Sequence, residues 1–248
     1  MCFFINGLSY IAVIAALAAM RVAVRQPEKD GSRYIQNLKE GFFYTFGFAP
    51  IRNILLLLAI VSLLGMPYVT LMPVYARDIL HGGAHTFGFL MGATGIGALI
   101  GAVFLAYRKT VTGLGLIMAI AAGVFGIGLA VFSVSRVLWL SLLLMVLTGA
   151  GMMVQMAASN TLLQTIADEK KRGRVMSFYT VAFMGMTPFG SLLAGWLAGW
   201  LGVQKTVLIS GICCVLGASL FMVRLPALRE MVRLIYERKG IIPKEKGF

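Results

Sequence analysis

Residues 160–199 read NTLLQTIADEKKRGRVMSFYTVAFMGMTPFGSLLAGWLAG. Two apolar segments flank a short turn in which Asp168, Glu169, Lys170, Lys171, Arg172 and Arg174 fill six of seven positions, with Gly173 between the last two. A charge block of that density has no place in hydrocarbon, so the turn belongs at a membrane surface. Its Lys/Arg content points to the cytoplasmic side. The stretch is therefore a hairpin of two spanning helices, and the other segments are placed from it.

Composition agrees. The 248 residues are 59% hydrophobic and 12% charged, whereas soluble domains carry about 25% charged residues. This is the profile of an all-α polytopic membrane protein. The net charge of +13 raises a nucleic-acid partner as an alternative. The charges lie in short clusters between apolar runs, with no basic face and no recognition motif, so no nucleic-acid partner is expected. Topology and attraction to anionic membrane lipid explain the basic excess.

Seven apolar runs follow one another. Residues 2–20 form the first and contain no charge before Arg21; a signal peptide would begin with a basic stretch, so this run is expected to span. Residues 21–50 are a polar linker broken by Pro27 and Gly31. Its second half sets Ile35, Leu38, Phe42, Phe46 and Ala49 at helical spacing, as in an amphipathic helix on the inner surface. Six further runs occupy 51–76, 86–107, 113–133, 137–165, 174–201 and 204–223, each meeting the ~20 residues that hydrocarbon demands. The chain thus divides into a first span (1–20), a cytoplasmic linker (21–50), a six-span bundle (51–223) and an amphipathic tail (224–248). In the tail Leu228, Met231, Val232 and Ile235 share a stripe.

With the linker, the 107–112 turn, the 166–174 turn and the tail inside, only Arg77, Arg136 and Lys205 of the 22 Lys/Arg fall outside. A register shifted by one span would reverse that ratio. The N-terminus is therefore expected outside and the C-terminus in the cytoplasm.

No Asp or Glu lies deep in a span, so the usual intramembrane proton relay is missing. Uncharged polar groups do occur there. Gln155, Ser159, Asn160 and Gln164 mark the fifth run, and Asn6 and Ser9 the first. Such groups either line a substrate path or join helices by hydrogen bonds, and spacing does not choose between these. Gly88/Gly92, Gly97/Gly101 and Gly195/Gly199 have the GxxxG spacing of closely packed membrane helices. Pro67 and Pro73 interrupt the second run and Pro188 the sixth; proline kinks a helix, either as a gating element or as a fixed bend.

Little here suggests chemistry. Cys2, Cys213 and Cys214 form no metal or disulfide pattern, and His81 and His85 flank two glycines in a loop. No metal site and no cofactor is expected. There is no catalytic triad, HExxH or phosphate loop, so an enzyme is not expected either.

Three stretches carry a family resemblance: KEGFFYTFGFAPIRNILLL (39–57), the Gly-rich run 88–101, and the quoted segment to Ala198. They resemble the major facilitator superfamily, in the branch of bacterial drug and siderophore exporters that includes the enterobactin exporter and the macrolide efflux proteins. The likeness implies the family's C-terminal six-helix bundle preceded by one span. The first run would be the family's sixth span and the linker its central cytoplasmic loop. It further implies secondary active efflux of a small-molecule substrate across the bacterial inner membrane. Asp168, Arg172, Gly173 and Arg174 would form a cytoplasmic gate turn, although a positive-inside anchor accounts for the same charges. Five spans of the family's first bundle are not in this sequence. The expectation is a transporter half that needs a complementary N-terminal half; the alternative is a truncated membrane fragment that transports nothing.

Overall fold

The computed structural model describes residues 2–19, 40–108 and 110–239. Every regular element among them is helical. Helix α1 (Cys2–Ala19) is 18 residues of almost unbroken apolar sequence and belongs to a unit of its own, Met1–Leu38. The second unit, Lys39–Phe248, holds all the rest.

It begins with α2 (residues 40–47). A kinked pair follows, α3 (Ala49–Ile60) and α4 (Tyr68–Asp78), separated by a π-helical turn at Val61–Gly65. Next come α5 (Ala84–Ala106), α6 (Leu114–Val134) and α7 (Leu138–Ile166). The pair α8 (Arg172–Thr180) and α9 (Met186–Leu201) is divided by a second π turn at Val181–Gly185. The last helix, α10, runs unbroken from Val203 to Arg238.

Six of these units, counting each kinked pair as one, are long and apolar enough to cross a bilayer. They match the six runs from residue 51 onward. The last extends further than hydropathy suggests. Arg224, Arg229 and Arg233 interrupt its apolar composition, yet Leu225, Leu228, Val232 and Tyr236 carry one buried stripe on past Pro226. Met231, expected on the tail's apolar stripe, is exposed.

Packing follows small residues. α7 is central, with α5 and α6 each laid along it, and α10 packs on the far side of α6. A Cβ added to Gly97 would overlap the carbonyl oxygen of Val146, and one added to Gly149 would overlap that of Thr94. α5 and α7 therefore touch backbone to backbone, the close approach that small residues allow where lipid supplies no hydrophobic drive. Gly126 and Gly211 make the same reciprocal contact between α6 and α10.

The bundle's two ends differ. At one end α10 returns to α7, where Lys239 Nζ donates to the carbonyls of Thr165 (2.6 Å) and Ala167 (3.2 Å). Val111, Gly113 and α2 lie at this same end. At the other end the Tyr75 hydroxyl, fully buried, reaches the carbonyls of Phe132 (2.6 Å) and Ser135 (2.8 Å). The Phe132 carbonyl also accepts from the Ser135 N–H at 3.0 Å, and the Ser135 carbonyl lies just past the end of α6, so Tyr75 ties α4 to that terminus. Among the described residues, Arg108, Lys171, Arg174, Arg229 and Lys239 are collected at one end, with Arg136 and Lys205 at the opposite one; the linker charges before residue 40, Lys109 and the tail beyond 239 lie outside the described residues.

Candidate functional site

Two places were singled out by sequence: the polar residues of α7 and the charged turn after it. A helix advances 100° per residue, so Gln155 and Ser159 lie only 40° apart, whereas Ser159 and Asn160 are 100° apart. The structure follows this arithmetic. Gln155 and Ser159 turn into the bundle, at 1% and 0% exposure. The Ser159 hydroxyl is 2.7 Å from the Gln155 carbonyl and 3.0 Å from the sulfur of Met118 on α6. The Gln155 amide is 3.4 Å from Ser159 Oγ. In this arrangement the inner pair joins α7 to α6.

Asn160 and Gln164 turn the other way. The Gln164 amide donates to Asn160 Oδ1 at 2.5 Å, with Gln164 exposed and Asn160 half-buried. The Tyr179 hydroxyl of α8 donates to the Met156 carbonyl at 3.3 Å, one turn away. The four candidates on α7 therefore lie on two faces, and of these four Asn160 and Gln164 are the accessible pair in this conformation.

The charged turn is built on α2. Its chain is pressed against the turn at Gly41, where a Cβ would sit 2.9 Å from Arg174 Cδ. Tyr44 then makes two contacts. Its hydroxyl accepts from the Asp168 N–H at 3.2 Å, and its ring lies 4.4 Å beneath Lys171 Nζ. Burial raises the pKa of this phenol above the usual tyrosine range, and the Asp168 N–H pulls the other way. Arg174 Nη1 lies 3.8 Å from the Glu40 carboxylate. Phe42 and Phe46 stack at 4.5 Å and both meet Phe178 of α8 edge-on, at 6.1 and 5.7 Å. Sequence singled out the aromatic stripe of this segment but gave Glu40 and Tyr44 no role. Nothing local marks a residue whose partner is more than 120 positions away.

The turn's charges oppose its helices. Asp168 follows the C-terminus of α7, and Lys171 and Arg172 open α8. A helix dipole favours the reverse placement, by roughly 0.3–1 kcal/mol per charge. Only Lys239, on the α7 carbonyls, is placed favourably. Folding stability alone does not explain this block. Gly173 has nothing within 4 Å of a built Cβ, and Arg172 Nε is shut from solvent without a hydrogen-bond partner.

The prolines stand beside the two π turns. Pro67 caps α4 just after Val61–Gly65, and Pro188 is the third residue of α9 just after Val181–Gly185. Pro73 lies inside α4. A Cβ on Gly190 would overlap the Leu63 carbonyl and meet Pro67 Cγ at 2.7 Å, so the breaks in the two kinked helices are in contact. π turns at mid-helix are frequent at functional sites. A part-buried polar tie that sequence missed also links α3 to α10: Arg224 Nη1 donates to Asn53 Oδ1 at 3.1 Å, while Asn53 donates to the Ala49 carbonyl at 2.8 Å.

Comparison with known proteins now adds the family. A profile of the transmembrane secretion effector family matches residues 1–237. An uncharacterised MFS-type transporter of Bacillus subtilis (strain 168), YfmI, is 25% identical over 187 residues, which is 74% of this chain and 46% of that protein. The chain thus spans about half the length of the curated relative it matches. Helical spans with basic turns gathered at one end, two contacting helix breaks and a match along nearly the whole sequence lead to one conclusion: this chain belongs to the transmembrane secretion effector family of major facilitator (MFS) transporters.

Proposed function

We propose that the chain is the C-terminal bundle of a secondary active exporter of a small molecule, of the drug or siderophore class, in the bacterial inner membrane. Its basic end faces the cytoplasm, its N-terminus lies outside, and it works with a complementary N-terminal bundle. In this reading residues 51–223 are the bundle, 21–50 the linker and 224–248 the cytoplasmic tail.

The observation that carries the proposal is uneven burial. In the most apolar stretch of the α8–α9 span only 17% of residues are buried within the chain, and in α5 only 22%, against 50% in α6 and 56% in α3–α4. Two of six spans turn most of their surface elsewhere. On those spans Gly88, Gly92, Gly195 and Gly199 have nothing within 4 Å of a built Cβ. Glycines at close-packing spacing without a neighbour fit helices that await a second bundle. Alternating access rocks one bundle against the other. Asn160 and Gln164 would then face the path. Gln155 and Ser159 would join it only on rearrangement of α6 against α7. The contacting breaks near Pro67 and Pro188, with Pro73, would serve as hinges. The Asp168–Arg174 turn, held by α2, would be the gate.

Co-expression tests this. The chain is paired with the N-terminal five spans of a full-length relative in cells lacking their own drug exporters, and ethidium efflux is followed. Export is expected with both halves and with neither alone. Transport by the chain alone in proteoliposomes would overturn the proposal, as would no export from the pair when both halves reach the membrane.

A further inference from the structure

The face between α5 and α6 has no role in that mechanism. Both helices lie on α7 but hardly touch each other, so α7 floors a cleft between them. The floor mixes small residues, Ala150, Gly151 and Ala157, with Met153 and Val154. The cleft contains two cavities in line. One, of 420 Å³, lies at the basic end and takes Arg108, Thr110 and Thr161 into its lining. The other, of 390 Å³, lies deeper and is lined by apolar groups alone, including Phe104, Ile117, Val124 and Val154.

The geometry points to a binding site for one anionic phospholipid of the leaflet at the basic end, with its phosphate at Arg108 and one acyl chain along the cleft. Length is the first argument. From Leu114 in the upper cavity to Val124 in the lower is ten residues of helix, or about 15 Å. That is one leaflet, half of a hydrocarbon core of about 30 Å. Charge is the second. The Arg108 guanidinium is held by donation from Nη2 to the Thr112 carbonyl at 2.7 Å, and its Nε is shut from solvent with no hydrogen-bond partner. No acidic residue lines the cavity, and Lys109 follows in sequence. Basic pockets between helices on this side of a membrane select phosphate head groups. Polarity is the third: hydroxyls and a cation at the mouth and hydrocarbon below match an amphiphile. A free anion would leave the lower cavity unfilled, and an alkane would leave Arg108 unpaired. The site rests on the orientation proposed above, with the basic end in the cytoplasm, but not on export, so its test and the efflux test fail separately.

Native mass spectrometry of the full chain in detergent tests the idea, with phosphatidylglycerol and phosphatidylcholine of identical acyl chains supplied at equal mole fraction. One bound phosphatidylglycerol is expected, retained about fivefold over phosphatidylcholine, the factor for one basic residue at an anionic surface. Arg108→Gln should remove the preference. A second measurement does not depend on that variant. In Phe104→Trp, the added fluorescence should be quenched by phosphatidylglycerol brominated on its acyl chain, and millimolar inorganic phosphate should not reverse it. Equal retention of the two lipids, or a preference that survives Arg108→Gln, would overturn the proposal. Absence of quenching would also do so, as would displacement by inorganic phosphate or a second copy of the chain covering the cleft.

Discussion

Two glycine pairs on α5 share one spacing and differ in environment. Gly97 and Gly101 lie against the backbone of α7, at Val146 and Ala150, while Gly88 and Gly92 have no atom within 4 Å of a built Cβ. The same contrast separates the two sides of the bundle. The α6–α7–α10 side is closed by reciprocal glycine contacts; the α5 and α9 faces are open. A GxxxG spacing therefore states that close approach is allowed, and only the neighbouring helix decides whether it happens. The open pairs mark where this chain's surface is prepared for something outside it.

The strongest way to break this contrast is to place a β-branched residue on each side. Gly97→Val would drive a side chain into the Val146 carbonyl. Backbone cannot move aside as a flexible side chain does, so α5 and α7 must separate. The expected loss is about 3 kcal/mol, the upper range of overpacking. Gly92→Val should change stability by less than about 0.5 kcal/mol, as at an unconstrained surface. Thermal unfolding in detergent, with both variants side by side, checks this; equal losses would show that the open face is packed after all.

The two ends make a second, smaller contrast, carried by tyrosines. Tyr75 is fully buried with two carbonyl oxygens within 2.8 Å of its hydroxyl. Tyr75→Phe takes the phenol donor from the buried Ser135 carbonyl, while the Phe132 carbonyl keeps the Ser135 N–H, and should cost about 2 kcal/mol. Tyr44, in the clasp on the charged turn, accepts a single 3.2 Å bond from an exposed residue. Tyr44→Phe should cost no more than about 0.5 kcal/mol, because water replaces what is lost. Chemical unfolding monitored by fluorescence gives both values. If the order reverses, the clasp is the structural end and the Tyr75 tie is incidental.

Much of this architecture was legible from composition and period. Long apolar runs located each of the six helices to within a few residues at its start, because hydrocarbon imposes a length. The inner and outer pairs on α7 follow from 100° per residue. The π turns were not legible: moving a hydrogen bond from i−4 to i−5 leaves no signature beyond a glycine at positions 65 and 185 and a proline just after. Nor was the fate of each glycine, which depends on a helix distant in sequence. The clasp of α2 on the turn was invisible for the same reason, since Glu40 meets Arg174 only after four spans have folded between them. Local chemistry specifies which surfaces can meet, and the fold selects among them.

Lys239 sharpens the contrast between the ends by about 0.5–1 kcal/mol. Its ammonium lies on two terminal carbonyls of α7, where a cation opposes the negative end of the helix dipole. Lys239→Met should lower stability by that amount in dilute buffer and by less at high salt, because screening acts on exposed charge. A loss that does not change between low and high salt would mean the lysine acts through its methylene stem.

The smallest effect on stability belongs to the pair that decides what the turn does. Arg174 and Glu40 are 3.8 Å apart and both partly exposed, so their coupling should be within about 0.5 kcal/mol. Stability cannot then be the reason for the contact, and a gate and a topological anchor give different results in an exporting pair of halves. If the turn is a gate, Arg174→Glu should depress efflux severalfold without lowering the amount of protein in the membrane. The charge swap Arg174→Glu with Glu40→Arg should restore it, since a pair that locks one state tolerates reversal. If the turn only anchors topology, the positive-inside bias sums over 19 inner Lys/Arg (22 less Arg77, Arg136 and Lys205) and loses little from one. Efflux should then be unchanged in the single variant, and the swap should have nothing to restore. Measuring efflux per inserted protein for wild type, both singles and the swap separates the two, because only a gate makes the effect of position 174 depend on the charge at position 40.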